Sequence, residues 1–119
     1  MTNGREKFGA FIRREREALE PKVGLRDMAK MIGVSPTYLS KVERDEFPPP
    51  AEDKVRKIAE IIKCDSDDLL ARAGRVSSDI SDIIKRHPVK LAALLRTTKG
   101  LKAEDIERLA RAAQKAKDK

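Results

Sequence analysis

The chain has 119 residues, the length of one ordinary domain with one modest hydrophobic core. Charged residues make up 39% and aromatic residues 3%, and there is no Trp, a composition that favours an all-helical protein over a β-rich protein or one with an apolar ligand pocket. The net charge of +7 suggests a polyanionic partner, although solubility alone also tolerates such a charge. A single cysteine excludes an intrachain disulfide and a multi-cysteine zinc site, and the lack of a signal-like or membrane-spanning apolar run predicts a cytoplasmic protein with no membrane partner.

Eight short helices are predicted along the chain, and no segment has the alternating pattern of a strand. The first five are predicted over residues 5–19, 25–32, 35–45, 51–62 and 65–73. Pro21 prevents continuation of the first helix, and Gly33 ends the second. Ser35 gives the third helix a side-chain cap, and Pro36 suits its first position because no amide donor is needed there. The predicted fold class is therefore all-α.

Three further helices follow the first five. Ser78 is the expected cap of the sixth helix, Pro88 opens the seventh, and Gly100 closes it. The last helix is expected to fray into a Lys-rich tail. We therefore expect two parts, a five-helix domain in residues 1–74 and a short helical extension in residues 75–119.

The most specific pattern is the segment LRDMAKMIGVSPTYLSKVER, residues 25–44. Two short helices joined through Gly33 must cross steeply, and the small side chain of Ala29 lies where they approach each other. Leu39 and Val42 point inward from the second of these helices. This is the arrangement of a helix-turn-helix motif.

The segment resembles the Xre family of phage-repressor-like transcriptional regulators. The matching residues are Ala29, Gly33, Val34, Ser35, Leu39, Ser40 and Glu43. The resemblance covers residues 5–74 and implies a repressor-like domain that binds double-stranded DNA, with helix 35–45 in the major groove. Two positions depart from the family pattern. Leu25 stands where members often carry a Gln that braces the DNA backbone, a contact that Arg26 could supply, and Asp45 stands where they favour Gly.

In such a motif the outward and N-terminal residues of the third helix reach base edges. Here these base-reading candidates are Ser35, Pro36, Thr37, Tyr38 and Lys41. Lys41 could donate to guanine O6 or N7, and Thr37 could hydrogen-bond or offer its methyl group to thymine. Tyr38 could instead lie at the edge of the core, but the neighbouring Leu39 already belongs to the inward face, which favours the surface.

A second group of residues is placed to contact DNA phosphates and so to set register. These candidates are Arg26, Ser40, Arg44, Lys54 and Lys57, together with the N-terminus of the second helix. Each basic residue alone is more often part of a solvated helix face. The motif favours the DNA role for Lys41 and Arg44, whereas Lys54 and Lys57 fit either interpretation.

Other polar residues have structural interpretations. The resemblance implies an ion pair between Arg16 and Glu43 that joins the first helix to the third. His87 lacks the second ligand that a metal site needs and is interpreted as a helix-boundary residue, and Cys64 as a small packing residue. We therefore expect no catalytic residues, no metal and no cofactor, and the chain is not predicted to be an enzyme.

The extension carries apolar residues that need a partner surface. They are Ile80, Ile83, Ile84, Leu91, Leu94, Leu95, Ile106 and Leu109. They could pack on the N-terminal domain or against the same segment of a second chain, and a homodimer is favoured because two-fold repressors match palindromic operators. The basic residues near the C-terminus could attract phosphates or form a disordered tail. They are Arg108, Arg111, Lys115, Lys117 and Lys119.

Two functions follow from these patterns. The first is a dimeric, sequence-specific regulator, more in keeping with a repressor, that occupies a palindromic operator and needs no cofactor. The alternative is an antitoxin or adaptor that binds a partner protein through its C-terminal helices. The two functions can coexist in one chain.

Overall fold

The computed structural model describes residues 6–119, which form eight α-helices and contain no strand. The helices are α1 (Phe8–Glu17), α2 (Leu25–Ile32), α3 (Pro36–Glu43), α4 (Glu52–Ile62), α5 (Ser66–Arg72), α6 (Ser78–Arg86), α7 (Pro88–Thr97) and α8 (Ala103–Lys117). The described residues up to Ser78 form one compact unit, and Asp79–Lys119 form a second. The all-α prediction is confirmed for the described part of the chain.

The helix ends of α2 and α3 follow the local chemistry of the sequence. Gly33 takes the left-handed conformation, with φ of 79°, and ends α2. Two residues later, the Ser35 hydroxyl oxygen accepts a hydrogen bond from the Tyr38 N–H at 3.0 Å, and Pro36 is the first residue of α3. The turn between the two helices is therefore short and locally determined.

Several predicted helix ends differ from the structure. The first helix begins at Phe8 and ends at Glu17, two residues before the expected Leu19, and Arg5, where it was expected to begin, lies outside the described residues. The third helix ends at Glu43 and not at residue 45, because Asp45 takes a left-handed conformation with φ of 58°. The last helix continues to Lys117, so most of the expected tail is helical.

The first unit has a continuous apolar core built from α1 to α5. Its buried side chains are Phe8, Phe11, Ile12, Met28, Ala29, Ile32, Leu39, Val42, Val55, Ile58, Ala59, Ile62, Leu69 and Leu70. α3 packs on both α1 and α2, and α4 packs on α1, α2 and α5. α3 is therefore fixed from two sides while its remaining face stays open.

The contact between α1 and α3 is unusually close. A Cβ atom on Gly9 would lie 2.1 Å from the Val42 carbonyl oxygen, so only glycine fits there. The Asp45 carboxylate, just beyond α3, accepts hydrogen bonds from the N–H groups of Gly9 at 2.7 Å and Ala10 at 3.2 Å. These N–H groups belong to the first turn of α1, which has no cap from its own N-cap residue, Lys7. Asp45 therefore caps α1 from a distant part of the chain.

The second unit has a different character, because none of its residues is buried. Its helices have local end signals: Pro88 is the first residue of α7, and Gly100, with φ of 86°, lies in the turn after it. At the start of α8 the Lys102 N–H donates to the Asp105 carboxylate at 3.3 Å. Among the described residues, no helix is long and apolar enough to cross a membrane.

Candidate nucleic-acid interface

The open face of α3 is opposite to the residues that anchor the helix. Leu39, Val42 and Glu43 are buried, whereas Thr37 is exposed and Lys41 is half-buried. Because the buried residues recur at helical spacing, the others form a continuous outward strip. α3 is thus a rigid rod that presents one polar strip to solvent.

The five base-reading candidates lie along this strip and at its N-terminal end. Ser35 and Thr37 are exposed, and Pro36, Tyr38 and Lys41 are half-buried. The Ser35 oxygen is occupied as the helix cap, which leaves its O–H free to donate. The five residues therefore lie along one strip, but Tyr38 also packs against the edge of the core, the alternative that the sequence pattern did not favour.

A sixth residue, Phe47, also lies at this surface, although it was not among the candidates from the sequence. The ring of Phe47 lies 5.9 Å from the ring of Tyr38, and the Lys41 ammonium group lies 5.1 Å from the centre of the Phe47 ring. Phe47 is nevertheless 41% exposed. Its position depends on the turn after α3, which helical periodicity does not describe.

The phosphate-contacting candidates differ in how accessible their side chains are. Arg26, Arg44 and Lys57 are exposed, and Ser40 is half-buried. Arg44 forms an ion pair with Glu46 at 3.0 Å, but both side chains are half exposed, so a phosphate could replace the carboxylate at little cost. Lys54 is less accessible, because its ammonium group lies beside the Gly33 turn.

A polar groove crosses the first unit next to α3. It is lined by Arg13, Arg16, Leu25, Ser40, Glu43 and Arg44. The N-terminus of α2 has no side-chain cap, and its first residue, Leu25, lines the groove beside the basic side chains of Arg13 and Arg44. Arg13 was not selected from the sequence, because an exposed arginine on α1 looks like any other surface charge.

Arg16 and Glu43 form a buried, bidentate ion pair between α1 and α3. Nε and Nη2 of Arg16 donate to the two Glu43 carboxylate oxygens at 2.8 and 2.9 Å, and Nη1 donates to the Val23 carbonyl at 3.1 Å. The hydrogen bond with Glu43 raises the pKa of Arg16 above its ordinary value, so the guanidinium stays charged. The pair holds α3 to α1 directly behind the outward strip.

The remaining polar candidates, Cys64 and His87, lie outside the helix-turn-helix segment. Cys64 packs against the core, and burial raises the pKa of its thiol, which lowers the fraction of reactive thiolate. His87 is the exposed N-cap residue of α7. In residues 6–119 no cluster of His, Cys, Asp or Glu could hold a metal ion.

The eight dimerisation candidates all lie in the second unit. Ile84 and Leu91 are half-buried, and Ile80, Ile83, Leu94, Leu95, Ile106 and Leu109 are exposed. In the structure of a single chain these apolar side chains therefore remain in contact with solvent. The basic residues Arg108, Arg111, Lys115 and Lys117 lie on α8.

Comparison with known proteins agrees with this geometry. A family model described as helix-turn-helix matches residues 12–69. Two curated proteins of Mycobacterium tuberculosis, one from each of two strains and both named uncharacterized HTH-type transcriptional regulators, are 39% identical over 66 residues. That alignment covers 56% of this chain and 45% of each relative, so the chain spans less than half the length of these relatives.

Two solved structures are also similar. The clp gene regulator ClgR from Corynebacterium glutamicum has 26% identity and a TM-score of 0.48, with 82% of this chain and 95% of that chain covered. A chain of the complex between the SinR and SinI proteins has 18% identity and a TM-score of 0.47, with 94% and 99% covered.

Proposed function

We propose, from the premise that residues 12–69 form a helix-turn-helix domain of the Xre-like family, that this protein is a sequence-specific, DNA-binding regulator of transcription. The observation that carries the proposal is the open strip of α3. A rigid helix, held from behind by the core and by a buried ion pair, presents hydroxyl, aromatic and ammonium groups on one side. This is the chemistry that reads base edges in the major groove.

The residues of the strip and the residues around it have different roles in DNA binding. Ser35, Pro36, Thr37, Tyr38 and Lys41 read bases, since they lie on the open face. Arg26, Ser40, Arg44 and Lys57 contact phosphates on both sides of α3 and fix its register. Lys54 contributes less, because its side chain is partly covered beside the Gly33 turn. Arg13 adds a phosphate contact through the polar groove.

The second unit makes the protein a homodimer. Its 41 residues contain no buried side chain, and a segment of this size without a core needs a partner to be stable. Pairing of the eight apolar residues across a two-fold axis supplies that core. The first 74 residues then serve as the DNA-binding domain, and a dimer places two copies of α3 on a palindromic operator.

Regulation by this protein is repression: the bound dimer blocks the promoter and needs no cofactor. We propose no enzymatic activity for this protein and a location in the cytoplasm. A second function rests on the same apolar residues of α6, α7 and α8, which could bind a different protein, as in an antitoxin or adaptor. Both functions use the apolar residues of the second unit to bind another chain. They differ in whether that chain is a second copy of this protein or a different protein.

The test is selection of bound duplexes from a random DNA pool by the full-length protein. We expect enrichment of one sequence with two-fold symmetry. Enrichment of a single, unrepeated half-site would contradict the dimer but support base reading by α3. Absence of any enrichment by folded protein would contradict the DNA-binding function and favour the protein partner.

A further inference from the structure

Phe47 lies in a turn that is held in one position by several backbone contacts. The N–H groups of Glu46 and Phe47 both donate to the Lys41 carbonyl oxygen, at 2.9 and 3.3 Å. Asp45, in the same turn, is attached to α1 through its two hydrogen bonds. Three consecutive prolines follow, beginning at Pro48, and restrict the chain further. The ring of Phe47 is therefore presented from a fixed backbone.

The exposure of this ring is unexplained by folding alone. An aromatic side chain is usually covered, because burying its large apolar surface is favourable. Phe47 instead remains 41% exposed, with the Tyr38 ring on one side and the Lys41 ammonium group near its face. It extends the apolar part of the strip beyond the C-terminal end of α3.

We infer that Phe47 is a specificity-determining residue that contacts the C5-methyl group of a thymine next to the base read by Lys41. This inference rests on the proposed DNA-binding function. Thymine is the one base that offers a methyl group in the major groove, and an apolar side chain is the partner that favours it. The cation–π contact also limits the positions open to the Lys41 ammonium group, so ring and ammonium act on neighbouring bases.

The test uses the duplex that full-length protein selects from a random pool, and a set of duplexes in which each thymine in turn is replaced by deoxyuridine. This replacement removes only the methyl group. We expect wild-type protein to lose about fourfold in affinity at one thymine per half-site, the effect of burying about one methyl group. Phe47→Ala should bind more weakly and show no difference between thymine and deoxyuridine at that position.

Two further variants control the test. Phe47→Leu keeps an apolar side chain and should retain part of the methyl preference, which also guards against misfolding of the alanine variant. Val76→Ala removes apolar surface from another exposed residue of the same unit and should behave like wild type.

The inference is overturned if wild-type protein prefers its selected duplex yet shows no deoxyuridine effect at any thymine. It is equally overturned if Phe47→Ala keeps the wild-type effect. In both cases the proposed function stands, because sequence preference remains. If wild-type protein shows no preference for any duplex, the proposed function and this inference both fail.

Discussion

Arg16 connects three parts of the first unit through a single guanidinium group. It pairs with Glu43 on α3 and donates to the Val23 carbonyl in the segment before α2, and it is 8% exposed. In the proposed function a residue in this position affects DNA binding by fixing where α3 lies. Its loss should therefore reduce stability and affinity together.

We predict that Arg16→Ala lowers the free energy of unfolding by about 3 kcal/mol, because the Glu43 carboxylate would be left buried without its partner. Chemical denaturation followed by circular dichroism measures this value. Arg13→Ala is the matched control, since the Arg13 pair with Glu17 is more than half exposed, and it should change stability by less than about 1 kcal/mol. Equal effects of the two variants would contradict a structural role specific to Arg16.

The sequence predicts the positions of residues within the helix-turn-helix motif better than the positions of residues outside it. The base-reading candidates and the partners of the ion pair occupy fixed positions of the helix-turn-helix pattern, so their common surface follows from helical geometry. Arg13 and Phe47 lie outside the pattern. Arg13 reaches the groove only because α1 packs on α3, and Phe47 reaches Tyr38 only through the turn after Glu43. Both depend on tertiary contacts.

At the scale of elements, the junction between α1 and α3 depends on Asp45. The sequence shows an Asp where the Xre family, which the motif resembles, favours Gly, and the structure gives the reason why both residue types suit the position. The backbone is left-handed there, which glycine adopts freely and aspartate tolerates. The aspartate adds a function that glycine lacks, because its carboxylate caps α1.

Two variants of Asp45 separate these effects. Asp45→Gly loses the cap but relieves the left-handed backbone, whereas Asp45→Ala loses the cap and keeps the strain. We predict that Asp45→Ala is less stable than Asp45→Gly by about 1 kcal/mol, and that both are less stable than wild type by about 1 kcal/mol or more. Thermal and chemical unfolding give the comparison. If neither variant differs from wild type, the carboxylate does not stabilise α1.

Helix boundaries follow local signals where a cap is close in sequence, as at Ser35, Pro88 and Gly33. They do not follow local signals where the cap comes from a distant part of the chain. The start of α1 is such a case, since its first N–H groups are satisfied by a residue 36 positions later. Periodicity also overextended α3, because residues 44 and 45 continue the polar pattern while the backbone already leaves the helix.

At the scale of the whole molecule, the two units differ in what stabilises them. The first has a core that its own sequence supplies, and its pattern of apolar residues predicts that core closely. The second has amphipathic helices whose apolar residues stay exposed in one chain. Sequence periodicity indicates such a surface, but it does not identify what covers it.

We predict that Leu94→Glu converts the proposed full-length dimer to monomer, because a charge in the proposed apolar interface would be buried without a partner. Ala93→Glu is the control, since residue 93 lies on the opposite side of α7 and is already exposed. Sedimentation at micromolar concentration measures the result. A wild-type monomer, or a dimer that survives Leu94→Glu but not Ala93→Glu, would contradict the proposed interface.

In the proposed function α3 reads DNA bases while residues around it contact the DNA backbone, and a pair of lysine variants separates these two roles. Affinities of wild type, Lys41→Ala and Lys57→Ala are measured for the selected duplex and for random DNA over a range of salt concentrations. Lys41→Ala should cost about 1 to 3 kcal/mol on the selected duplex and relax the preference at one base position. Lys57→Ala should weaken binding to both duplexes equally and reduce the slope of log affinity against log salt by about one. Loss of affinity for both duplexes in Lys41→Ala, with every base preference intact, would show that Lys41 is an anchor and that the reading surface lies elsewhere.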